Sequence, residues 1–267
     1  MPDLLAVLGI AWVATVALVA ARIGALLLVS PLFRAIPVPA PARVVLTIGL
    51  SVALAMPMAS VPVGSLPPGD LFTGLGRELA LGATMGLGVL AAFAGLSFAG
   101  RVLDLQIGFG FGQVLDPVTR QQVPVLTTVF GVLGVLLFLL VDGHHGLLRA
   151  LALSVDRFPP GQPWPVEQAI AGVVRQVAGL FALGFALAAP VVLCLFLLDV
   201  ALGVLARNLP QMNMLALGIP AKVVVGLLAL SLWAGGMGGA VVRLHAHAFD
   251  AWAGLFAPPA AAPGARR

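Results

Sequence analysis

Long apolar runs alternate with short polar connections along the whole chain. A helix of roughly 20 residues covers the ~30 Å hydrocarbon core of a bilayer, and six runs are about that long or longer. The pattern therefore predicts an all-α integral membrane protein with about six long apolar helices arranged in hairpins. The six runs are residues 4–30, 44–61, 79–100, 123–141, 177–206 and 219–242.

Prolines and polar residues shape the connections. Four prolines within residues 31–41 predict a stiff, extended link. A short helix is expected over 145–156, and Pro190 is expected to kink the fifth run. The connection at 207–222 is rich in side chains that hydrogen-bond to helix ends, which predicts a capped hairpin turn or, alternatively, a docking surface.

Residues 101–122 are polar and interrupted by glycines, which is typical of neither a helix nor a membrane span. Gly108, Gly110 and Gly112 alternate with Phe109 and Phe111. An interior glycine costs about 1 kcal/mol of helix stability relative to alanine, so regular helix should end before residue 117. A flexible backbone that carries two aromatic rings would suit a movable apolar plug. An ordinary glycine-rich loop is the alternative.

The composition places the chain in or against a membrane. Hydrophobic residues make up 61% of the 267 positions and charged residues 9%, whereas soluble domains have about 45 to 50% and about 25%. The net charge of +4 is scattered over short connections, so no nucleic-acid partner is predicted. The first run exceeds signal-peptide length and follows no basic segment, which predicts a retained first span.

Enzymatic chemistry finds little support in the sequence. Ser97 does not sit in a G-x-S-x-G motif, and an intramembrane protease built on it remains a distant alternative. His245 and His247 are two residues apart, which points them to different faces of a helix. The single cysteine, Cys194, excludes an intrachain disulfide and a thiolate metal cage. We therefore predict no enzyme, no metal and no cofactor.

Charges inside the apolar runs are more informative, because each costs on the order of 2.5 to 3.5 kcal/mol at the centre of a membrane helix. Arg22 and Asp199 are the clearest cases, and we expect structural pairing, with each other or with a neighbouring subunit. An ion relay is the alternative. The polar residues predicted to serve subunit packing are Arg22, Asp199, Arg207, Asn208, Pro210, Gln211, Asn213 and Lys222.

Two pairs of glycines have the spacing that lets membrane helices approach closely. They are Gly82 with Gly86 and Gly235 with Gly239. Chance spacing in a glycine-rich chain is the alternative interpretation.

Five segments, taken in order, resemble the FliR family of flagellar biosynthetic membrane proteins, which belong to the type III export gate and have injectisome relatives of the SctT type. The resemblance covers nearly the whole chain, and its DPVTRQQVPVL stretch is more typical of flagellar members. The segments are 22–33 (RIGALLLVSPLF), the proline link through Arg43, 78–117 ending in LDLQIGFGFGQVLDP, 142–161 (DGHHGLLRALALSVDRFPPG), and 189–222 with ARNLPQMN and IPAK.

The resemblance implies a helical multisubunit channel, assembled with FliP-like and FliQ-like membrane subunits and an FlhB-like switch protein. It implies a FliP-like portion at 1–170 and a FliQ-like hairpin at 171–255, followed by a flexible Ala/Pro/Arg tail at 256–267. The connection 106–122 is expected to plug the lumen. On that expectation Phe109 and Phe111 are sealing rings, Gly108, Gly110 and Gly112 are their flexible backing, and Asp116 with Pro117 anchors the loop.

The function implied is that of a structural and gating subunit of the flagellar export gate, through which unfolded flagellar proteins are secreted. Its expected place is the flagellar basal body in the bacterial inner membrane. The sequence has no phosphate-binding loop, so energy would come from elsewhere in the apparatus. An independent small-solute transporter, with Arg22 and Asp199 lining a midplane site, is the alternative.

Overall fold

Helices joined by short turns make up the part of the chain that the computed structural model describes, and no strand occurs there. The described residues are 2–32, 38–58, 68–109, 124–209, 211 and 213–256. The prediction of an all-α protein is confirmed. The helices are α1 (Pro2–Val29), α2 (Ala40–Ala55, followed by a 3-10 turn at Met56–Met58), α3 (Pro68–Ile107), α4 (Val125–Leu140), α5 (Gly143–Arg157), α6 (Val166–Asn208) and α7 (Met214–Phe256).

Fewer helices than predicted are suited to cross a membrane. Four described stretches are long and apolar enough, and a fifth counts if α4 and α5 form one broken span. Helix α2 has 16 residues, which reach about 24 Å at 1.5 Å per residue and fall short of the hydrocarbon core. The prediction of six spans is therefore wrong for the second run. The four stretches are Ala11–Val29, Leu71–Ile107, Ala169–Asn208 and Ala216–Gly236.

Three helices are much longer than a bilayer requires. Helix α3 has 40 residues, and α6 and α7 have 43 each, which correspond to roughly 60 to 65 Å. The prediction of the third run over 79–100 is therefore too short at both ends of α3. Pro190 lies inside α6 without ending it. These helices must extend past the hydrocarbon layer or cross it at a steep tilt.

Two of the predicted connections can be compared with the described residues. The short helix expected over 145–156 is α5, so that prediction is confirmed. In the proline link, Pro39 has φ −56° and ψ 143°, an extended conformation, and Arg43 Nε donates to the Val38 carbonyl at 2.9 Å. Residues 33–37 of that link lie outside the described part of the chain.

The chain forms two compact units. Unit 1 falls within residues 1–90, 144–176 and 248–267, and unit 2 within 91–143 and 177–247. In unit 1, α3 packs closely on α1: a Cβ added to Gly82 would collide with the Arg22 carbonyl oxygen, and one on Gly86 would lie 2.8 Å from the Val29 Cβ. This glycine pair therefore does provide close helix approach. Gly235 makes no such approach among the described residues, because nothing lies within 4 Å of an added Cβ.

Unit 2 has its own apolar core between α3, α4, α6 and α7. Helix α7 joins it through Trp233, whose Nε1 donates to the Leu187 carbonyl at 3.0 Å. Gly226 of α7 sits so close to Ile107 that an added Cβ would lie 2.6 Å from its Cγ1. The fully buried centre of this core holds the end of α3 in place. Its members are Leu96, Ala99, Leu103, Ile107, Leu126, Phe130, Leu187, Ala188, Val191 and Leu195.

The glycine contact in unit 1 predicts opposite effects for two alanine substitutions in α3. Gly82→Ala should lower the free energy of unfolding by about 1 to 3 kcal/mol, because its methyl group meets the α1 backbone. Gly76→Ala should raise it by up to about 1 kcal/mol, because its surroundings are open and alanine favours helix. Thermal unfolding of the solubilised protein measures both. A Gly82→Ala variant as stable as the parent would contradict the packing described.

Candidate functional site

Helix α3 ends at Ile107, directly before residues 108–122, the Gly-Phe segment, and the structure shows why. Gly108 has φ +96°, a backbone conformation that side chains with a Cβ rarely adopt and that commonly ends helices. The prediction that helix fails before residue 117 is confirmed. Residues 101–107 are nevertheless helical, so the prediction of poor helix is wrong for this part, where the buried Leu103 and Ile107 fix the helix to the core.

The first ring of the predicted plug is half-buried. Phe109 packs against the apolar core of unit 2, directly after the turn at Gly108. Its ring is therefore seated on the end of the helical core. The other predicted plug residues, Gly110, Phe111, Gly112, Asp116 and Pro117, lie outside the described residues.

One turn before Gly108, the Asp104 side chain bonds to the start of α4. Its Oδ1 accepts from the Leu126 backbone N–H at 2.8 Å, and its Oδ2 accepts from the Thr127 N–H at 2.9 Å and the Thr127 hydroxyl at 2.8 Å. Sequence reasoning missed this residue. The available signal was Pro124, which precedes α4 and has no side-chain group to cap it.

Arg22 lies at the centre of a buried polar network in unit 1. Its Nε and Nη2 donate to Glu78 Oε2 and Oε1 at 2.5 and 3.0 Å, its Nη1 to Ser154 Oγ at 3.1 Å, and its Nη2 also to the Phe158 carbonyl at 2.8 Å. Glu78 Oε1 accepts a further bond from the Gly161 N–H at 2.9 Å. The network ties α1, α3 and α5 together with the turn that follows α5.

Asp199 has a different partner. Its Oδ1 lies 2.7 Å from Lys222 Nζ, which joins α6 to α7 in unit 2. Structural pairing is thus found for both charges within their own units, with Glu78 as the partner of Arg22 and Lys222 as the partner of Asp199. Glu78 was missed because it stands at the edge of the predicted third run, beside Arg77, where a charge needs no special partner.

The turn between α6 and α7 is capped at both ends. Asn208 Nδ2 donates to the Val204 carbonyl at 2.9 Å at the end of α6. Asn213 Oδ1 accepts from the Ala216 N–H at 3.2 Å, as an N-cap side chain does. The interpretation as a capped hairpin turn is confirmed for these positions. Arg207, Gln211 and Asn213 are exposed there, and Pro210 lies outside the described residues.

Two neighbouring histidines at the start of α5 are candidate metal ligands in unit 1. The rings of His144 and His145 are 4.1 Å apart, and the buried Nδ1 of His144 has no hydrogen-bond partner among the described residues. Two imidazoles from one helical turn supply half of a tetrahedral ligand set. The absence of a metal or cofactor therefore stays a prediction.

Comparison with known proteins identifies an export family. Residues 13–248 match the family model described as bacterial export proteins, family 1. The flagellar biosynthetic protein FliR of Caulobacter vibrioides is 32% identical over 81% of this chain and 87% of the relative. FliR of Bacillus subtilis is also 32% identical, over 58% of this chain and 61% of that protein. The secretion system apparatus protein SsaT of Salmonella typhimurium is 25% identical, over 57% and 60%.

The buried Arg22–Glu78 pair predicts a strongly non-additive mutant cycle. Arg22→Met and Glu78→Gln should each lower the free energy of unfolding by about 3 to 5 kcal/mol, because each leaves the other group buried without its partner. The double variant should lose clearly less than the sum. Denaturant unfolding measures the cycle, with the exposed Arg149→Met as a control expected to stay within about 0.5 kcal/mol of the parent. Additive losses would show that the two side chains act independently.

Proposed function

The chain belongs to family 1 of the bacterial export proteins, and we propose that it is a structural and gating subunit of the flagellar type III protein export gate. The family, together with relatives named for flagellar biosynthesis and for a secretion system apparatus, makes it a membrane component of a type III export apparatus. The flagellar assignment is supported by the higher identity to FliR than to SsaT.

The observation that carries the gating role is the break in α3 at Gly108. A 40-residue helix stops at a residue with φ +96°, and an aromatic ring follows at once on the apolar core. We propose that the segment from Gly108 contributes a plug, with Phe109 and Phe111 as its sealing rings, Gly110 and Gly112 as flexible backing, and Asp116 with Pro117 as its anchor. Unfolded flagellar proteins would displace this plug as they pass.

The second half of the proposal is that the long helices form part of a pore wall shared with other subunits. Helices α6 and α7 expose apolar side chains along much of their length. The half-exposed pair of Asp199 and Lys222 lies among them. Charges are costly against lipid tails, so this placement favours a protein or aqueous neighbour at that point. The exposed side chains are Leu193, Phe196, Leu197, Val200, Val204, Leu217, Val224, Leu227, Leu228 and Leu232.

FliP-like and FliQ-like membrane subunits and an FlhB-like switch protein are the proposed neighbours. Residues 1–170 would form the FliP-like portion and 171–255 the FliQ-like hairpin of a helically wound channel, with 256–267 as a tail. This is a division along the sequence, whereas the two compact units are a division in space. The proposed site of assembly is the flagellar basal body in the inner membrane.

An independent small-solute transporter is not favoured. The transporter hypothesis requires Arg22 to face a solute at a midplane site. The Arg22 side chain is instead fully buried, and its guanidinium donates hydrogen bonds to Glu78, Ser154 and the Phe158 carbonyl. A group whose donors are already used within the protein has little left to offer a passing solute. No catalytic step is proposed.

The plug predicts that removing its rings opens a leak. Phe109→Ala and Phe111→Ala should raise potassium efflux from proteoliposomes that hold the assembled complex, because the seal loses apolar volume. Phe72→Ala is a matched control, since this phenylalanine is 76% exposed near the opposite end of α3 and should leave efflux unchanged. Parental efflux from a fully assembled complex with both rings removed would exclude them from the seal.

Purification separates a gate subunit from a carrier. Expressed alone, the chain should be unstable or inert in liposomes, because the apolar faces of α6 and α7 lack their proposed neighbours. Purified from native membranes, it should carry FliP-like and FliQ-like subunits with it. Solute uptake by the single chain would favour the transporter instead.

A further inference from the structure

Helix α4 begins without a cap of its own. Pro124 occupies the N-cap position, and no side-chain hydrogen bond is made there. The first N–H groups of any helix have no partner inside the helix, and a buried N–H without a partner is destabilising. At α4 the missing acceptor comes from another helix, because Asp104 of α3 receives the N–H groups of Leu126 and Thr127.

The Asp104 carboxylate is suited to this role and to few others. It is 3% exposed, and both of its oxygens are occupied by donors from the first turn of α4. The N-terminal end of a helix carries partial positive charge, so a carboxylate at that position is favoured electrostatically. Because both oxygens of this buried carboxylate bond to the first turn of α4, Asp104 fixes the start of α4 relative to α3.

These bonds lie at the base of the Gly-Phe segment. Asp104 is one helical turn before Gly108, and the Leu126 N–H is two residues after Pro124. A second contact holds the same two helices together, since a Cβ on Gly100 would lie 2.7 Å from the Thr127 Cα. The point where the chain leaves α3 and the point where it enters α4 are thereby kept adjacent.

We propose that Asp104 is a positioning residue for the seal: by capping α4 in trans it fixes the end of α3 against the start of α4, and with it the seat of Phe109 on the core of unit 2. The proposal rests on the gating role proposed above and adds a residue that does not itself enter the seal. Asp104 acts through the two helix ends.

The test uses the full chain in the co-purified complex with two separate readouts. The first is hydrogen exchange of the Leu126 and Thr127 amides, which reports the cap itself. The second is potassium efflux from proteoliposomes, which reports the seal. Asp104→Ala should speed exchange at these amides by at least about tenfold and raise efflux toward that of Phe109→Ala. Asp104→Asn keeps one acceptor oxygen and should fall between parent and alanine in both readouts.

A destabilised control distinguishes positioning from general loss of stability. Leu26→Ala removes buried apolar volume in unit 1 and changes no residue of the cap or of the core that seats Phe109, so at equal complex abundance it should leave efflux low. Parental exchange at Leu126 and Thr127 in Asp104→Ala would overturn the proposal. Accelerated exchange with parental efflux, or equal efflux in Leu26→Ala, would also overturn the link to the seal. If Phe109→Ala itself does not leak, the gating role fails, and this outcome is recognisable whatever the amides show.

Discussion

A charge buried among apolar helices must find its partners inside the protein, because no water is present there to solvate it. In unit 1 this requirement is met by Arg22 and Glu78, which are almost fully buried and bonded to each other. In unit 2 it is met by Asp104, whose partners are the amide groups at the start of α4. In both cases a polar contact joins segments that are far apart in sequence, so a few polar residues determine which helices meet.

Close helix packing accompanies these polar contacts. Gly82 lets α3 approach the α1 backbone beside Arg22, and Gly100 lets α3 approach α4 beside Asp104. Each glycine lies close to a buried charge because a short hydrogen bond between side chain and backbone, or between two side chains, requires the helices to come near each other. The glycine content of the chain thus has a specific use at these two sites.

The sequence predicts the helices well and their limits poorly. Long apolar runs predict helices. Hydropathy cannot, however, locate a helix end that is set by tertiary hydrogen bonds. Helix α3 extends through Arg77 and Glu78 at one side and Asp104 at the other because those polar groups are satisfied by distant parts of the chain. The break at Gly108 was predictable from local chemistry. The partners of Arg22 and Asp104 were not, because they are separated from them by many residues.

For the proposed export gate, the contacts of Asp104 hold the end of α3 against the start of α4, and Phe109 packs on the same core. A seal that opens for a passing polypeptide needs a movable part on a fixed base, and the described residues supply the base. The apolar faces of α6 and α7 are then available for neighbouring subunits. In the proposed channel of several proteins, this division would give each part of the chain a distinct task.

The most direct measurement is photo-crosslinking during export. A photoreactive phenylalanine analogue is placed at Phe109, and a secreted substrate is stalled in the assembled apparatus. The account predicts an adduct between position 109 and the substrate while export proceeds, and none from the same analogue at Phe72. The absence of substrate adducts at 109 in an exporting complex, with adducts formed at position 72 instead, would contradict it.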